Sequence, residues 1–195
     1  MQDFWEDKFA GEPYLYGTEP NAFIKAQAGR LKPGAKVLCL AEGEGRNAAF
    51  LAALGHSVKA VDFSAQALKK ARQLAADRQV SIATEQADLT RWQCDETYHA
   101  ITATYLHLDE ATALKVFQTV LDRLEPGGLF IGEFFSKKQL DYASGGPKNP
   151  DLLYETALFE KLGLEPLHLE ETIAQLNEGH GHQGPGAVIR VVLKR

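Results

Sequence analysis

The chain has 195 residues, 45% of them hydrophobic and 24% charged, with a formal net charge of -5. That is the length and balance of one ordinary globular domain, and the acidic excess excludes the basic footprint by which nucleic-acid binders are recognised. Two cysteines, Cys39 in an apolar run and Cys94 in a polar one, make no disulfide framework.

No repeat or low-complexity segment interrupts the chain. Residues 1–7 are acidic and lack the charged-then-apolar order of a secretory signal. No apolar run nears the ~20 residues that span a bilayer. A cytoplasmic protein without a membrane segment is the expectation. Trp5, Phe9, Tyr14 and Tyr16 lead into a turn at Gly17. Residues 36–40, Lys-Val-Leu-Cys-Leu, read as a strand covered on both faces. A helix over 47–54 stops at Gly55. A second strand, 58–61, runs into Asp62. Ser64 then caps a helix whose Ala67, Leu68, Ala71 and Leu74 have helical spacing. A weaker third strand follows over 81–84.

The fourth strand is expected over 100–103, and Asp109 caps a helix carrying Leu114, Phe117, Leu121 and Leu124. Pro126-Gly127-Gly128 breaks that helix ahead of a fifth strand, 129–134. Residues 136–150 are polar, rich in glycine and proline, and too long for a plain connection. A helix over 152–162 ends at Gly163. Two last strands, 164–173 and 187–193, flank a glycine-rich loop, and such a pair can be antiparallel. Strands alternating with helices make one α/β domain, 1–195: a doubly wound, mostly parallel sheet with helices on both faces. Residues 1–30 are expected to form a lid segment and helix. Residues 136–150 and 178–186 are expected to be loops bordering an active site.

The most informative stretch is Leu40-Ala41-Glu42-Gly43-Glu44-Gly45-Arg46-Asn47, where a strand passes through a small-residue turn straight into a helix. Glycines there allow a tight turn and close approach to a ligand. Gly43-x-Gly45-x-x-Ala48 also fits the dinucleotide fingerprint, and Asp62 lies where either kind of nucleotide would place a ribose hydroxyl. Charge separates the two readings. A pyrophosphate needs an unopposed helix N-terminus, whereas Glu42 and Glu44 crowd this one with only Arg46 against them. Acidic groups suit a cofactor that carries an ammonium and a sulfonium and no phosphate.

On these residues the sequence resembles the class I S-adenosylmethionine-dependent methyltransferases over nearly its whole length. It looks most like the branch with the tellurite-resistance and thiopurine methyltransferases. Further matching features are Asp62-Phe63-Ser64, Ala87-Asp88-Leu89, Leu124-Glu125-Pro126-Gly127-Gly128, Trp5-x-x-x-Phe9, and Tyr14-x-Tyr16-Gly17-x-x-Pro20-Asn21. The resemblance implies sheet order 3-2-1-4-5-7-6 with strand 7 antiparallel. It implies that Ala41, Glu42, Gly43, Gly45 and Asn47 surround the methionine and ribose parts of S-adenosylmethionine. Asp62 would accept from the ribose, with Phe63 beside the adenine and Ser64 next in the same turn. Asp88 and Leu89 would meet the adenine, backbone at Ala103 and Thr104 the amino acid part, and Trp5 and Tyr16 would cap the cofactor. Cys39 stands where the family usually carries an acid, and Ala41 where it carries a glycine.

His107 follows the fourth strand, at the end of the sheet where such folds bind ligands. It is the expected catalytic residue, against the plainer reading that it ties its loop to the next helix. Glu178, His180 and His182 offer nitrogen and oxygen ligands, but alternate residues in a glycine-rich turn do not converge dependably, so no metal is expected. The expected reaction is methyl transfer to a small molecule, with a thiol, selenol or reduced metalloid fitting the sparse set of candidate bases. The rival readings are a non-catalytic module binding the same cofactor and a small NAD(P)-dependent oxidoreductase.

Overall fold

The computed structural model of this chain describes residues 2–11 and 13–195, with side chains described from Trp5 onward. Met1 and Glu12, within the expected 1–30 lid, lie outside the described residues. Seven strands form one sheet: β1 (Lys36–Leu40), β2 (Ser57–Asp62), β3 (Ala83–Gln86), β4 (Tyr98–Thr104), β5 (Leu124–Phe135), β6 (Glu165–Glu178) and β7 (His182–Lys194). Their order is β3-β2-β1-β4-β5-β7-β6. All neighbours pair in parallel except β7, which runs antiparallel to both β5 and β6.

Strand alternation puts a core on each face. Leu38 and Leu40 of β1 join Ile101, Phe130 and Ile189 against Phe117 and Val120 of α5 (Glu110–Leu121) and Phe159 of α6 (Thr156–Glu160). Val37 and Cys39 face the other way. They meet Phe23 of α2 (Ala22–Gln27), Leu51 of α3 (Arg46–Ala53) and Leu68 of α4 (Ala65–Asp77). A strand read as apolar on both faces is thus sandwiched between two helical layers. Among the described residues no helix is long and apolar enough to cross a membrane.

Several boundaries differ from expectation, each for a long-range reason. Pro126-Gly127-Gly128 lies inside β5 as an irregularity, because Leu124 already pairs with Tyr98 before the register shifts to Ala100 opposite Leu129. The expected helix over 152–162 shortens to α6. Tyr154 is drawn out of it into a bridge with Ser136, donating its N–H to Phe135 at 3.1 Å. The expected glycine-rich loop over 178–186 is mostly strand, since β6 and β7 stay paired down to Glu178 opposite His182. Only a tight turn, 179–181, remains. Residues 136–150 are ordered around the buried Gln139, whose side chain accepts from Ala187 N at 2.7 Å and donates to Ser144 Oγ and to the Gly145 carbonyl.

Candidate active site

A cavity of about 330 Å³ opens where β1, β2, β3 and β4 end, within the size range of small-molecule sites. Its wall takes Ala41 to Glu44 from the turn after β1, Asp62 and Phe63 from the end of β2, and Ala87 to Thr90 after β3. Thr104 to Leu108 follow β4, and His182 comes from the β7 end of the terminal hairpin. The remaining side is closed by the N-terminal segment: Trp5 and Phe9 of α1 (Gln2–Phe9), then Tyr16 and Gly17. Glu6 anchors this segment by accepting from Ser64 Oγ, Ala65 N and Gln66 N, where the amides at the start of α4 favour a carboxylate. Leu15 N donates to Glu44 at 2.7 Å, and the Leu15 carbonyl accepts from His180 N and Gly181 N in the hairpin turn. Gly179 is needed there: at φ +55, an added Cβ would lie 2.4 Å from the Leu15 carbonyl oxygen.

The turn after β1 is built around two carboxylates. Asp62, 5% exposed, accepts from Gly43 N and Ser64 N, each at 2.9 Å. Burial raises its pKa, and those backbone donors oppose the rise. Glu42 turns back onto α3, where its Oε1 accepts from Ala48 N at 2.7 Å. Burial pushes the Glu42 pKa up to about 7, with the α3 amides and Arg46 pulling the other way. An amide at the start of α3 is therefore taken by the chain's own carboxyl group, which disfavours a pyrophosphate there. Glu44 is neutralised by Lys70 at 2.7 Å. Ala41 takes φ +46, a left-handed conformation that strains any residue with a Cβ. Cys39 is fully buried, and burial pushes its thiol up, so it packs as a small apolar group.

Of the residues singled out in the sequence, Trp5, Tyr16, Ala41, Glu42, Gly43, Asp62, Phe63, Asp88, Leu89, Thr104 and His107 all border this cavity. Gly45, Asn47, Ser64 and Ala103 do not, and each has another task. Gly45 stands at φ +86, and a Cβ there would lie 2.5 Å from that of Ala71, so this glycine lets α3 and α4 touch. Asn47 accepts from Asn21 N and donates to Thr104 Oγ1. Ser64 caps α4 by accepting from Ala67 N at 3.1 Å. Ala103 is packed in the core beneath the cavity. None of residues 136–150 borders the cavity, and of 178–186 only His182 does. The first segment stands behind the wall, with Gly145 against His182 and Gly146 against Phe135.

One end of the cavity is aromatic. His107 stacks between Trp5 and Phe135, at 6.2 Å from each. Burial, with the nearby charges of His182 and Lys8, pushes its pKa down to about 4, opposed by a hydrogen bond to the Leu152 backbone. It does not cap the next helix, since Asp109 does so by accepting from Thr112 N at 3.0 Å. The sequence reading missed His182 as a site residue, together with the buried ionic seam behind it. Arg46 pairs with Glu178 at 3.0 Å, and Asn21 Nδ2 donates to Glu178 and Glu133. Arg190 pairs with Glu133 at 2.7 Å. In the sequence, Glu178 and His182 stand out only as possible metal ligands within a loop expected to border the site. Their real geometry follows from the strand pairing that sets them face to face.

Residues 37–128 match a family model described as a methyltransferase domain. No curated protein sequence matches the chain. Among solved structures, one comes from work on the conversion of a disulfide bond into a thioacetal group during echinomycin biosynthesis. It is 20% identical with a TM-score of 0.75, over 100% of this chain and 92% of that one. TehB from Haemophilus influenzae is 18% identical with a TM-score of 0.74, over 100% of this chain and 66% of that one. The N-methyltransferase NodS from Bradyrhizobium japonicum WM9, solved with S-adenosyl-L-homocysteine, is 13% identical with a TM-score of 0.74, over 100% and 97%. At these identities the likeness is one of fold.

Proposed function

From residues 37–128, which match a methyltransferase-domain model, and a sheet ordered β3-β2-β1-β4-β5-β7-β6, we infer an S-adenosylmethionine-dependent enzyme that methylates a small, soft nucleophile. The observation that carries the cofactor reading is the occupied helix start. Glu42 holds the Ala48 amide in the first turn of α3, where a dinucleotide would place its pyrophosphate, while the Asp62 carboxylate stays at the cavity wall. Asp62 Oδ2 accepts from Gly43 N and Oδ1 from Ser64 N, and a carboxylate with about four acceptor positions can still take a ribose hydroxyl. In this reading Asp88 and Leu89 flank the adenine, and Ala41 to Gly43 with Thr104 flank the amino acid part. Trp5 and Tyr16 close over the top, and the transferable methyl points toward His107.

When bound, S-adenosylmethionine supplies an electrophilic methyl on a positively charged sulfur. The chain's own work is to align the acceptor behind that methyl and to keep water out. Trp5, His107 and Tyr16 do so with flat, largely apolar faces that suit a polarisable nucleophile. The fold neighbour concerned with a thioacetal acts where sulfur is the reacting element, which supports a thiol or selenol here.

The test is product analysis by mass spectrometry. The protein and S-adenosylmethionine are incubated in turn with 2-mercaptoethanol, thiophenol, selenide, phenol and a primary amine. Methylated sulfur and selenium products are expected to form faster than methylated oxygen or nitrogen. Turnover confined to the phenol or the amine would overturn the soft-acceptor reading.

A further inference from the structure

We propose that His182, held by Glu178, takes the proton from a neutral acceptor's S–H or Se–H as the methyl is transferred. The proposal rests on the methyltransferase reading and assigns a proton-handling residue within that site.

The geometry is that of an oriented base. His182 Nδ1 lies 2.8 Å from Glu178 Oε2. Glu178 Oε1 is held in turn by Arg46 at 3.0 Å and by Asn21 Nδ2 at 2.9 Å. Although burial works to raise the Glu178 pKa, the His182 hydrogen bond and the Arg46 charge bring it down to about 2, so it remains a carboxylate. A carboxylate can only accept, so the Nδ1 hydrogen is committed to it and the lone pair is left on Nε2. Among the described residues no hydrogen bond reaches Nε2, and the ring borders the cavity. Tyr16, Tyr105 and Phe135 fix the ring from three sides at 4.5, 4.4 and 5.0 Å. Around the ring, the charged and titratable groups are Glu178 from β6, Arg46 from α3 and Lys8 from α1, with Tyr16, Tyr105 and His107 from the loops. Burial lowers the His182 pKa and Glu178 opposes that fall. His107 has a backbone carbonyl for a partner and no carboxylate, so it makes a wall where His182 makes a base.

The step balances. The proton leaves sulfur for Nε2, and the freed electron pair forms the bond to the methyl carbon. The old carbon–sulfur bond breaks with its pair left on the departing neutral thioether. The imidazolium, steadied by Glu178, loses its proton to water as product leaves, so one proton is released per turnover.

The experiment compares wild type, His182→Asn and Glu178→Gln, each first shown to bind S-adenosylhomocysteine. With 2-mercaptoethanol below its own pKa, His182→Asn should lower kcat by about 10²–10³-fold, within the range for loss of a general base. With thiophenol presented as its thiolate, the same variant should turn over near the wild-type rate. Glu178→Gln should move the acid limb of the kcat–pH profile to lower pH, because the imidazolium loses its counter-charge. Nitrogen NMR of the wild type with S-adenosylhomocysteine should show Nδ1 protonated and Nε2 bare, which reports on His182 without any turnover. Equal slowing with both thiols, an unchanged rate in His182→Asn, or an Nε2-protonated ring would each overturn the proposal. A wild type that methylates no thiol would instead sink the soft-acceptor reading, and the NMR result would still decide the state of His182.

Discussion

Glu178→Ala is expected to destabilise the fold by about 3–5 kcal/mol, as removal of one partner from a buried ion pair does. Arg46 and Glu178 are only 7% and 9% exposed at their side chains, so an unpaired Arg46 could not recover its hydration. The same change leaves His182 Nδ1 and the Asn21 Nδ2 donor without the Glu178 carboxylate, loosening the hairpin from the N-terminal segment. In a domain of this size each kcal/mol moves the melting point by about 2–4 °C, so the melt should fall by roughly 10 °C. Glu178→Gln, which keeps an acceptor for Arg46, should lose clearly less. Denaturant titration of both variants checks this, and a loss below about 1 kcal/mol for the alanine would show that the seam does not hold the fold.

A second large effect is concealed in the wild type by opposition. His107 has its folded pKa lowered to about 4 from an ordinary 6.5. Its stabilisation is therefore present above pH 6.5 and is lost as pH falls through about 4. Glu42 has its folded pKa raised to about 7 from 4.5. Its contribution is full below pH 4.5 and is lost as pH rises through about 7. At 1.36 kcal/mol per pKa unit, each group carries about 3 kcal/mol at full weight. The His107 share is trimmed to about 2 because its ring borders an open cavity. Between pH 4.5 and 6.5 the two slopes oppose each other, and the stability of the protein without ligand should change less than either group alone would make it. His182, also lowered, tilts it slightly toward loss in acid. Glu42→Gln keeps an acceptor for Ala48 N but removes the titration. That variant should lose about 1.5–2 kcal/mol between pH 7 and pH 4.5, read from unfolding curves at each pH. A variant as flat as the wild type would refute the opposition.

What could be read from the sequence was local. The apolar run of β1, the cap at Ser64 and the strand-end Asp62 carry their signals within a few residues, and the structure places them in those elements. The packing of Gly45 was not legible, because a positive-φ glycine looks alike whether it admits a ligand or a neighbouring helix, and its close approach to Ala71 is a long-range contact. The acidic turn pointed away from a pyrophosphate for an incomplete reason. Lys70, 26 positions away, cancels Glu44, and the obstacle is the occupancy of the Ala48 amide in α3 by Glu42. The seam was illegible because Asn21 and Glu178 are 157 residues apart and Asn21 and Glu133 are 112 apart. Pairing at such separations is set by strand order rather than by any local pattern. The hairpin strands were read short because their glycines and Pro185 suggest a loop, whereas β7 supplies a continuous partner for β6 from Glu165 to Glu178.

Thermal melting with S-adenosylhomocysteine beside NAD and NADP decides whether this cavity holds S-adenosylmethionine or a dinucleotide. A ligand that binds only the native state at a hundredfold excess over its dissociation constant stabilises by about 2.7 kcal/mol, or roughly 5–10 °C in a domain of this size. A shift of that size is expected with S-adenosylhomocysteine and none with either dinucleotide. A shift with NAD or NADP and none with S-adenosylhomocysteine would contradict it.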